Sequence, residues 1–330
     1  MTLDLLFIIR VLVFPGFTFI FLLAMFFAWV DRKLEARMQN RIGPNQAGPG
    51  GILQPFADFI KLLIKEDVVP IETRSVLFKF VPIFAFSLYV FTLFLLPIDG
   101  GNVVLNSSFQ GDLILILSLV SIANLLLFLS GWASTNPYSA ISAKRVLMQF
   151  LGYDLPLFVL ALAPAFIAGS LSFSVIVASQ SIPFAILIPW VFVLFLFTMQ
   201  AELEKDPFDI PHADTEIVGG YETEYGGRKL AFLKLAREVQ RLVVAVIVVE
   251  LFLGGPFGPV FFGLAPFWYT LWFVIKVLIV VIISEYLSCI FARLRIDQML
   301  TLSWKILVPL SILSLIITIG LIFGTNFFAG

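Results

Sequence analysis

The residues best suited to chemistry are the carboxylates between positions 202 and 224, which face a single lysine, Lys205. They are Glu202, Glu204, Asp206, Asp209, Asp214, Glu216, Glu222 and Glu224. An acidic segment is usually a solvated loop, but this one also contains apolar residues such as Phe208 and Tyr221, so we expect much of it to be packed. Crowding and poor hydration raise carboxyl pKa values and couple their titrations. The segment is therefore predicted to exchange protons near neutral pH.

Four further ionisable residues lie within or beside long apolar runs: Asp154, Glu250, Lys276 and Glu285. An unpaired charge there costs roughly 2.5–3.5 kcal/mol, so each is expected to face the protein interior. Pro156 should break the helix beside Asp154 and open a cavity, which favours a proton path over a structural role. Glu285 lies near a helix end, where snorkelling is the favoured interpretation, and Glu250 and Lys276 fit either role equally.

Metal and redox chemistry are poorly supported, because the chain has one histidine, His212, and one cysteine, Cys289. These cannot build a structural metal site, a haem with two protein ligands or a cysteine-ligated iron–sulfur cluster. His212 lies among carboxylates and could titrate near neutral pH, although a surface histidine is the favoured interpretation. Any redox centre is expected in a partner protein.

The composition places these residues in a membrane protein. Hydrophobic residues make up 60% of the chain and charged residues 13%, about half the charge of a soluble domain. Eight apolar runs are long enough to cross a bilayer, which predicts an all-α polytopic protein with one membrane domain over 1–330. The runs lie near 5–30, 77–97, 112–133, 146–170, 182–201, 240–263, 266–289 and 304–326.

Basic residues predict the orientation, since all Lys and Arg except Arg10 and Lys276 lie in or at the edges of alternate connections, within 31–79, 134–145, 202–241 and 290–305. By the positive-inside rule these connections are cytoplasmic and both termini are external, in a multi-pass protein of the cell membrane. The cytoplasmic loops are 31–76, 134–145, 202–239 and 290–303. The basic residues form no separate soluble face, so no nucleic-acid partner is expected.

The first of these loops opens with a dense run of both charge signs at 31–45. A snorkelling flank beside the membrane is one interpretation of this run. Residues 49–67 then place Ile52, Phe56 and Ile60 on one helical face, opposite charged residues that include Lys61. This pattern predicts an amphipathic helix that lies at the membrane surface or covers a cavity there.

Several motifs resemble the family of the respiratory complex I membrane protein that is called NADH dehydrogenase subunit 1 in mitochondria. In order they are RMQNRIGPN at 37–45, LQP at 53–55, GWAS at 131–134, YDLP at 153–156, PFD at 207–209 and RLRIDQ at 293–298. The resemblance covers nearly the whole chain. It implies eight helices that connect a redox arm to an ion-pumping arm and line a quinone-type cavity.

The resemblance also implies roles for individual residues. The cavity and its entrance would be lined by Arg32, Glu35, Arg37, Arg41, Phe208 and Asp209. Protons or charge would be relayed by Asp154, Glu202, Asp214, Glu216, Glu222 and Glu224, to which we add the intramembrane Glu250. The inward loops would be positioned by Lys61, Arg293, Arg295 and Asp297.

Some positions depart from the family pattern. Asp31 and Asp154 stand where glutamate is usual, and Arg237 stands where quinone-reducing members tend to have glutamate. His212 and Asp214 replace the acids that usually follow the Pro-Phe-Asp motif, and Glu204-Lys205-Asp206 replaces a common Asn-Arg-apolar run. These departures favour, as an alternative, the equivalent subunit of an archaeal membrane-bound hydrogenase or sulfur-reducing complex without a quinone substrate.

By resemblance the chain is a subunit of an ion-translocating oxidoreductase, binds no cofactor and has no catalytic activity alone. Iron–sulfur clusters are expected in hydrophilic partners at the cytoplasmic face, which are hydrogenase-like or form the quinone site. A quinone is a candidate substrate, and small membrane subunits, antiporter-like subunits and lipid are expected neighbours. A stand-alone secondary transporter is the rival of another class, but it predicts inverted repeats, which the sequence lacks. A passive anchor explains the basic loops and leaves the acidic segment unexplained.

Overall fold

A computed structural model describes residues 5–71, 73–99, 102–103, 109–260 and 263–329. It confirms an all-α membrane fold. The first helices are α1 (Leu5–Leu12), α2 (Phe17–Met38), α3 (Gln54–Ile64), α4 (Ser75–Leu95), α5 (Asp112–Ala133), α6 (Pro137–Ala168) and α7 (Phe173–Ser179). The remaining helices are α8 (Phe184–Leu187), α9 (Pro189–Glu202), α10 (Asp214–Ile217), α11 (Gly227–Phe252), α12 (Ala265–Ile290), α13 (Ile296–Leu302) and α14 (Val308–Ala329).

The described residues also form two short strands and three short helical turns. The strands β1 (Pro97–Asp99) and β2 (Asn102–Val103) pair antiparallel. Two 3₁₀ turns occupy Pro49–Gly51 and Gly220–Glu222, and a π-helical turn at Ser303–Leu307 joins α13 to α14.

Six helical stretches of the described chain are long and apolar enough to cross a membrane, and α9 is a shorter apolar helix. The six stretches are Ile8–Met38, Val76–Leu95, Asp112–Ala133, Pro137–Ala168, Ala265–Ile290 and Ile296–Ile322. The predicted run at 240–263 corresponds to α11, which begins earlier and ends at Phe252. Charged residues in the first half of α11 interrupt its apolar pattern, so the start of the helix could not be recognised from the sequence. The fold accommodates several of these residues in ion pairs.

Several helices extend beyond the predicted spans at the end of the bundle that carries the basic loops, which we call the inward end after the predicted orientation. Helix α2 continues through Asp31 to Met38, and α6 starts at Pro137, where the Asn136 side chain accepts a hydrogen bond from the backbone N–H of Tyr138. The predicted break at Pro156 is wrong, because α6 continues to Ala168. Charged residues within 31–38 and 137–145, which were predicted to lie in loops, are therefore parts of helices.

The predicted amphipathic helix is α3, which packs beside α2. The ring of Phe21 on α2 contacts Phe56 and Phe59 edge to face, with centroids 5.9 and 5.7 Å away. The Trp29 indole N–H donates to the Gly50 carbonyl at 3.1 Å. These contacts fix α3 at the inward end of α2, where it covers a cavity.

The core surrounds α11, in which every residue from 242 to 252 is buried. Its neighbours include α2, α3, α4 and α12. Because α11 is enclosed on several sides, its polar residues must find partners inside the protein. The partners of these polar residues form part of the candidate site.

Candidate functional site

Two cavities lie at the inward end of the bundle and share the residues Glu35, Arg237 and Glu285. The first, of about 280 Å³, lies between α2, α3, α11 and α12 and mixes apolar side chains with charged ones. The second, of about 630 Å³, is lined in part by residues 204–222 of the acidic segment, together with residues of α2, α11 and α12. The shared residues make them neighbouring parts of one polar recess.

Helical spacing explains how the charged residues reach the first cavity. Arg241 lies four residues after Arg237 and three after Glu238 on α11, so it neighbours both on the helix surface, and all three line the cavity. Asp31 and Glu35 are likewise four residues apart on α2. The extension of α2 beyond its apolar part is thus what brings its acids opposite the cations of α11.

A buried ion cluster borders both cavities, and we call Asp31, Lys205, Glu238, Arg241 and Glu285 the Lys205 cluster. The Lys205 ammonium lies 3.2 Å from an Asp31 carboxylate oxygen and contacts the Glu285 carboxylate. Arg241 lies 3.2 Å from Asp31 and 2.9 Å from Glu238. Three acids thus share two cations, and removing either cation would leave a buried carboxylate without its counter-ion.

A second buried pair joins Glu222 to Arg237 at 2.8 Å. Burial, the largest single effect, raises the pKa of Glu222, but Arg237, His212 and Lys234 together outweigh it and hold the pKa below its usual value. Nearby, the ring of His212 lies 2.9 Å from Glu204, whose carboxylate also accepts from the Tyr221 hydroxyl at 3.2 Å. The Arg237 cation is therefore neutralised within the chain.

Two acids that line the second cavity, Asp206 and Asp209, have their charge balanced only in part by nearby cations. Burial raises the pKa of Asp206, and the neighbouring Asp209 carboxylate raises it further. Burial also raises the pKa of Asp209, against the opposing effects of His212 and of Arg293, which lies 2.7 Å from its carboxylate. Carboxyls with raised pKa values can bind protons under milder conditions than ordinary aspartates.

Deeper in the bundle lies a cluster without cations, the Asn124 cluster, formed by Tyr89, Asn124, Tyr153, Glu202 and Gln240. The Asn124 amide nitrogen donates to the Glu202 carboxylate and, at 3.1 Å, to the Tyr153 hydroxyl. Its carbonyl oxygen accepts from Tyr89 at 2.5 Å and from Gln240 at 3.0 Å. The neutral amide thus connects α4, α5, α6, α9 and α11 around one buried carboxyl.

Asp154 lies beside this cluster, because it follows Tyr153 on α6. Its carboxylate accepts from the Ser121 hydroxyl at 2.6 Å. Asp154 and Glu202 thus both have neutral hydrogen-bonding partners, in contrast to the ion-paired acids at the mouth.

Only some of the residues assigned by resemblance to the cavity line a cavity in the structure. Arg32 and Glu35 line the first cavity, and Asp209 lines the second. Phe208 is fully buried in a small core with Tyr153 and Met299. Two others point outward: Arg37 is exposed, and Arg41 is exposed and pairs with Glu35 at 3.0 Å.

The residues assigned to the relay are also separated. Glu202 and Asp154 lie at or beside the Asn124 cluster, and Glu222 lines the second cavity, whereas Glu216 is half-exposed and lies 2.5 Å from Arg145. Glu224 accepts from the side-chain amide of Asn136. The side chain of Asp214 lies outside the described part of the chain, and Glu250 lies at the opposite end of α11.

The residues assigned to loop positioning lie at the surface. Arg293 contacts Asp209, as described above. Arg295 and Asp297 are exposed at the start of α13, where the Arg295 backbone N–H donates to the Gln298 side chain. Lys61 is exposed on α3.

Two expectations for single residues are wrong. Glu285 does not snorkel, because it is 7% exposed and paired with Lys205. His212 is not a free surface histidine, because it contacts Glu204 and its ring packs on Tyr221 at 4.7 Å. No role in the site was predicted for Lys205, Asn124, Gln240 and Arg241, although all four contact buried residues there. Asn124 within an apolar run and Gln240 and Arg241 at the start of another were the available signals.

The family relationship follows from comparison with known proteins. A family model described as NADH dehydrogenase matches residues 10–319. The chain belongs to the NADH dehydrogenase family. The H subunit of the NADH-quinone oxidoreductase of Dehalococcoides mccartyi is 37% identical over 302 residues, or 92% of this chain and 83% of that protein. The H subunits from Carboxydothermus hydrogenoformans and Thermomicrobium roseum are each 35% identical, over 91% and 90% of this chain and 85% and 90% of those proteins.

Membership of the NADH dehydrogenase family confirms the resemblance carried by the sequence motifs. It makes the chain a multi-pass membrane subunit of an oxidoreductase complex, in agreement with its apolar helices. The match spans all three of the charged regions described here: the α2 extension, the acidic segment and the inward end of α12.

Proposed function

We propose that the chain connects the redox arm to the ion-pumping arm of a complex I-like oxidoreductase, lines its quinone-type cavity and begins its proton path. One observation carries the proposal: Glu204 lines the second cavity, and two residues before it the buried acid Glu202 is held by a neutral partner, Asn124. A carboxyl without a fixed counter-ion can change its protonation when a nearby charge changes.

The order of contacts supports a direction for the path. Glu204 lines the second cavity, and Glu202 lies two residues away at the end of α9. Asn124 links Glu202 to Tyr153, and Asp154 follows on α6. We propose that a charge change in the cavity shifts protons along this series and so perturbs the adjoining membrane arm.

The first cavity has the mixed lining that suits an apolar molecule with a polar head. Met25, Phe59 and Leu62 supply apolar surface beside Arg32, Lys234 and Arg241. A quinone fits this description as substrate. We assign the iron–sulfur clusters to hydrophilic partners at the inward face, whose subunits bind at the cavity mouth, and antiporter-like subunits and lipid to the membrane perimeter, with both termini external.

The alternative is the equivalent coupling subunit of an archaeal hydrogenase or sulfur-reducing complex. The Glu222–Arg237 pair favours it, since it places a cation where quinone-reducing members tend to have an acid. Purification of the intact complex distinguishes the two. Flavin- and NADH-binding subunits support the first proposal, and a nickel–iron hydrogenase pair supports the alternative.

The coupling role is tested with Glu202→Gln, which retains an oxygen to accept from Asn124 and removes the titratable proton. We expect the complex to assemble and transfer electrons but to move fewer ions per electron in proteoliposomes. Glu66→Gln, at an exposed position, is the matched control and should retain the parental ratio. A parental ratio in Glu202→Gln would contradict the coupling role and favour a passive anchor. Ion movement by the chain alone, without electron donor, would favour a stand-alone transporter.

A further inference from the structure

Glu250 stands apart from the inward site. It lies twelve positions after Glu238 on α11, which corresponds to about 18 Å along the helix axis. Its side chain is completely buried, and neither carboxylate oxygen has a hydrogen-bond partner among the described residues. A fully ionised carboxylate is strongly disfavoured in such surroundings.

Gln180, which follows α7, brings a further unpaired acceptor to this end of α11. Its amide nitrogen donates to the backbone carbonyls of Glu250 and Leu251 at 2.7 and 3.2 Å. Its side-chain carbonyl oxygen is buried and has no partner in the described structure. The local deficit is therefore one of donors, with three acceptor oxygens left unsatisfied.

Lys276 of α12 does not make up this deficit. Its ammonium donates to the carbonyls of Leu253, Gly255 and Phe257 at 2.7, 2.8 and 2.7 Å. A lysine has three N–H donors, so these bonds to the C-terminal end of α11 use all of them. Lys276 is the charged group that faces Glu250, while α7 contributes the apolar Val177 and the following segment contributes neutral Gln180.

The turn after α11 holds the carboxyl in place. Gly255 has a φ of 51°, and a Cβ atom at this position would lie 2.6 Å from a carboxylate oxygen of Glu250. The backbone therefore packs directly on the carboxyl, as only glycine permits. Phe257, two residues further, is exposed, so the site lies just beneath the surface at this end of the bundle.

We propose that Glu250 and Gln180 form a proton-binding site at the outer end of α11, separate from the inward relay. Glu250 holds the proton as a neutral carboxylic acid, and its O–H supplies a donor to the acceptor-rich pocket. Exchange occurs with the outer aqueous phase through the turn at Gly255. When the proton leaves, the Lys276 ammonium stabilises the resulting carboxylate.

The site makes stability depend on the pH of the outer phase. Over the pH range in which the unfolded chain has released this proton and the folded protein still holds it, unfolding releases one proton. The unfolding equilibrium constant should then rise about tenfold per pH unit. The measurement is the thermal unfolding midpoint of this subunit in the intact complex, reconstituted with its outer face exposed to buffers of increasing pH.

Glu250→Gln should assemble and lose this alkaline decline, whereas the exposed-site control Glu66→Gln should retain it. Gln180→Leu removes the acceptor that favours the protonated form, so its decline should level off at lower pH. A parental alkaline slope in Glu250→Gln would overturn the proposal, as would an unchanged profile in Gln180→Leu. If Glu250→Gln fails to assemble, Glu250→Asp, which keeps a titratable carboxyl, should assemble and retain an alkaline decline, and absence of the decline in that variant would also overturn the proposal. Sodium chloride that stabilises the parent more than potassium chloride does, but not Glu250→Gln, would overturn it in favour of a cation site.

Discussion

The Lys205 cluster and the Asn124 cluster lie close together and both bury carboxylates, yet they treat them in opposite ways. In the Lys205 cluster, ammonium and guanidinium groups contact Asp31, Glu238 and Glu285. In the Asn124 cluster, Glu202 meets an amide. A cationic partner favours the ionised form of an acid, whereas a neutral partner leaves its proton freer to exchange. The first arrangement suits a fixed framework, and the second suits proton transfer.

Two consecutive residues of α11 serve both clusters. Gln240 donates to Asn124 and to the Glu202 backbone carbonyl, at 3.0 and 2.9 Å, and Arg241 pairs with Asp31. Consecutive residues on a helix point about 100° apart, so one helix can bind both clusters without mixing them. The following predictions test how far this division extends.

The largest effect is expected from Lys205→Met. The substitution leaves Glu285 buried without its cation and leaves Asp31 with Arg241 alone. Breaking a buried ion pair in this way costs roughly 3–5 kcal/mol. We expect the subunit to be lost from the assembled complex, as measured by its abundance in purified membranes.

Lys61→Met provides the control, since Lys61 is exposed on α3. Normal assembly of Lys205→Met would mean that the neighbouring acids become protonated at little cost. The division between the clusters would then fail.

The next effect is expected from Asn124→Leu, which removes the amide shared by Tyr89, Tyr153, Glu202 and Gln240. Each buried polar group left without a partner costs about 1–3 kcal/mol. We expect a lower thermal unfolding midpoint and loss of ion pumping in the complex that remains.

The matched variant is Gln240→Leu, which leaves the contact between Asn124 and Glu202 in place. It should be destabilised less and should retain more pumping. Equal losses in the two variants would show that Asn124 acts only through packing.

Local features of the fold could be predicted from the sequence, whereas the long-range contacts within these clusters could not. Apolar runs, basic loops and the amphipathic pattern of 49–67 are local features, so the helical fold and α3 could be predicted from them. The pairing of Lys205 with Asp31 joins positions 174 residues apart, and no local pattern encodes it. The misjudged Glu285 illustrates the same limit, because its position near a helix end suggested solvent while its partner lay on another loop.

A smaller effect is expected from Arg293→Gln at the rim of the second cavity. The Arg293 and Asp209 side chains are 34% and 23% exposed, so solvent screens their interaction. Removing the guanidinium, which favours the ionised form, should raise the pKa of Asp209 further. If Asp209 must be ionised for turnover, the acidic limb of the pH–rate profile should move to higher pH.

Arg295→Gln is the control, since Arg295 is exposed at the start of α13. A pH profile that is identical in Arg293→Gln and the parent would show that Asp209 does not titrate during turnover. Asp209 would then belong with the fixed framework.

The smallest effect is expected from Arg32→Gln, which breaks the pair with Asp58 at 2.6 Å between α2 and α3. The two side chains are 44% and 38% exposed, and exposed pairs contribute about 0–1 kcal/mol and weaken with salt. We expect little change in the unfolding midpoint, and any difference from the parent should disappear in high salt. A large and salt-independent loss would mean that this pair holds α3 over the cavity as firmly as the buried ions hold the mouth. The framework would then extend to the surface, because aromatic packing of Phe21 against α3 would not suffice to hold it.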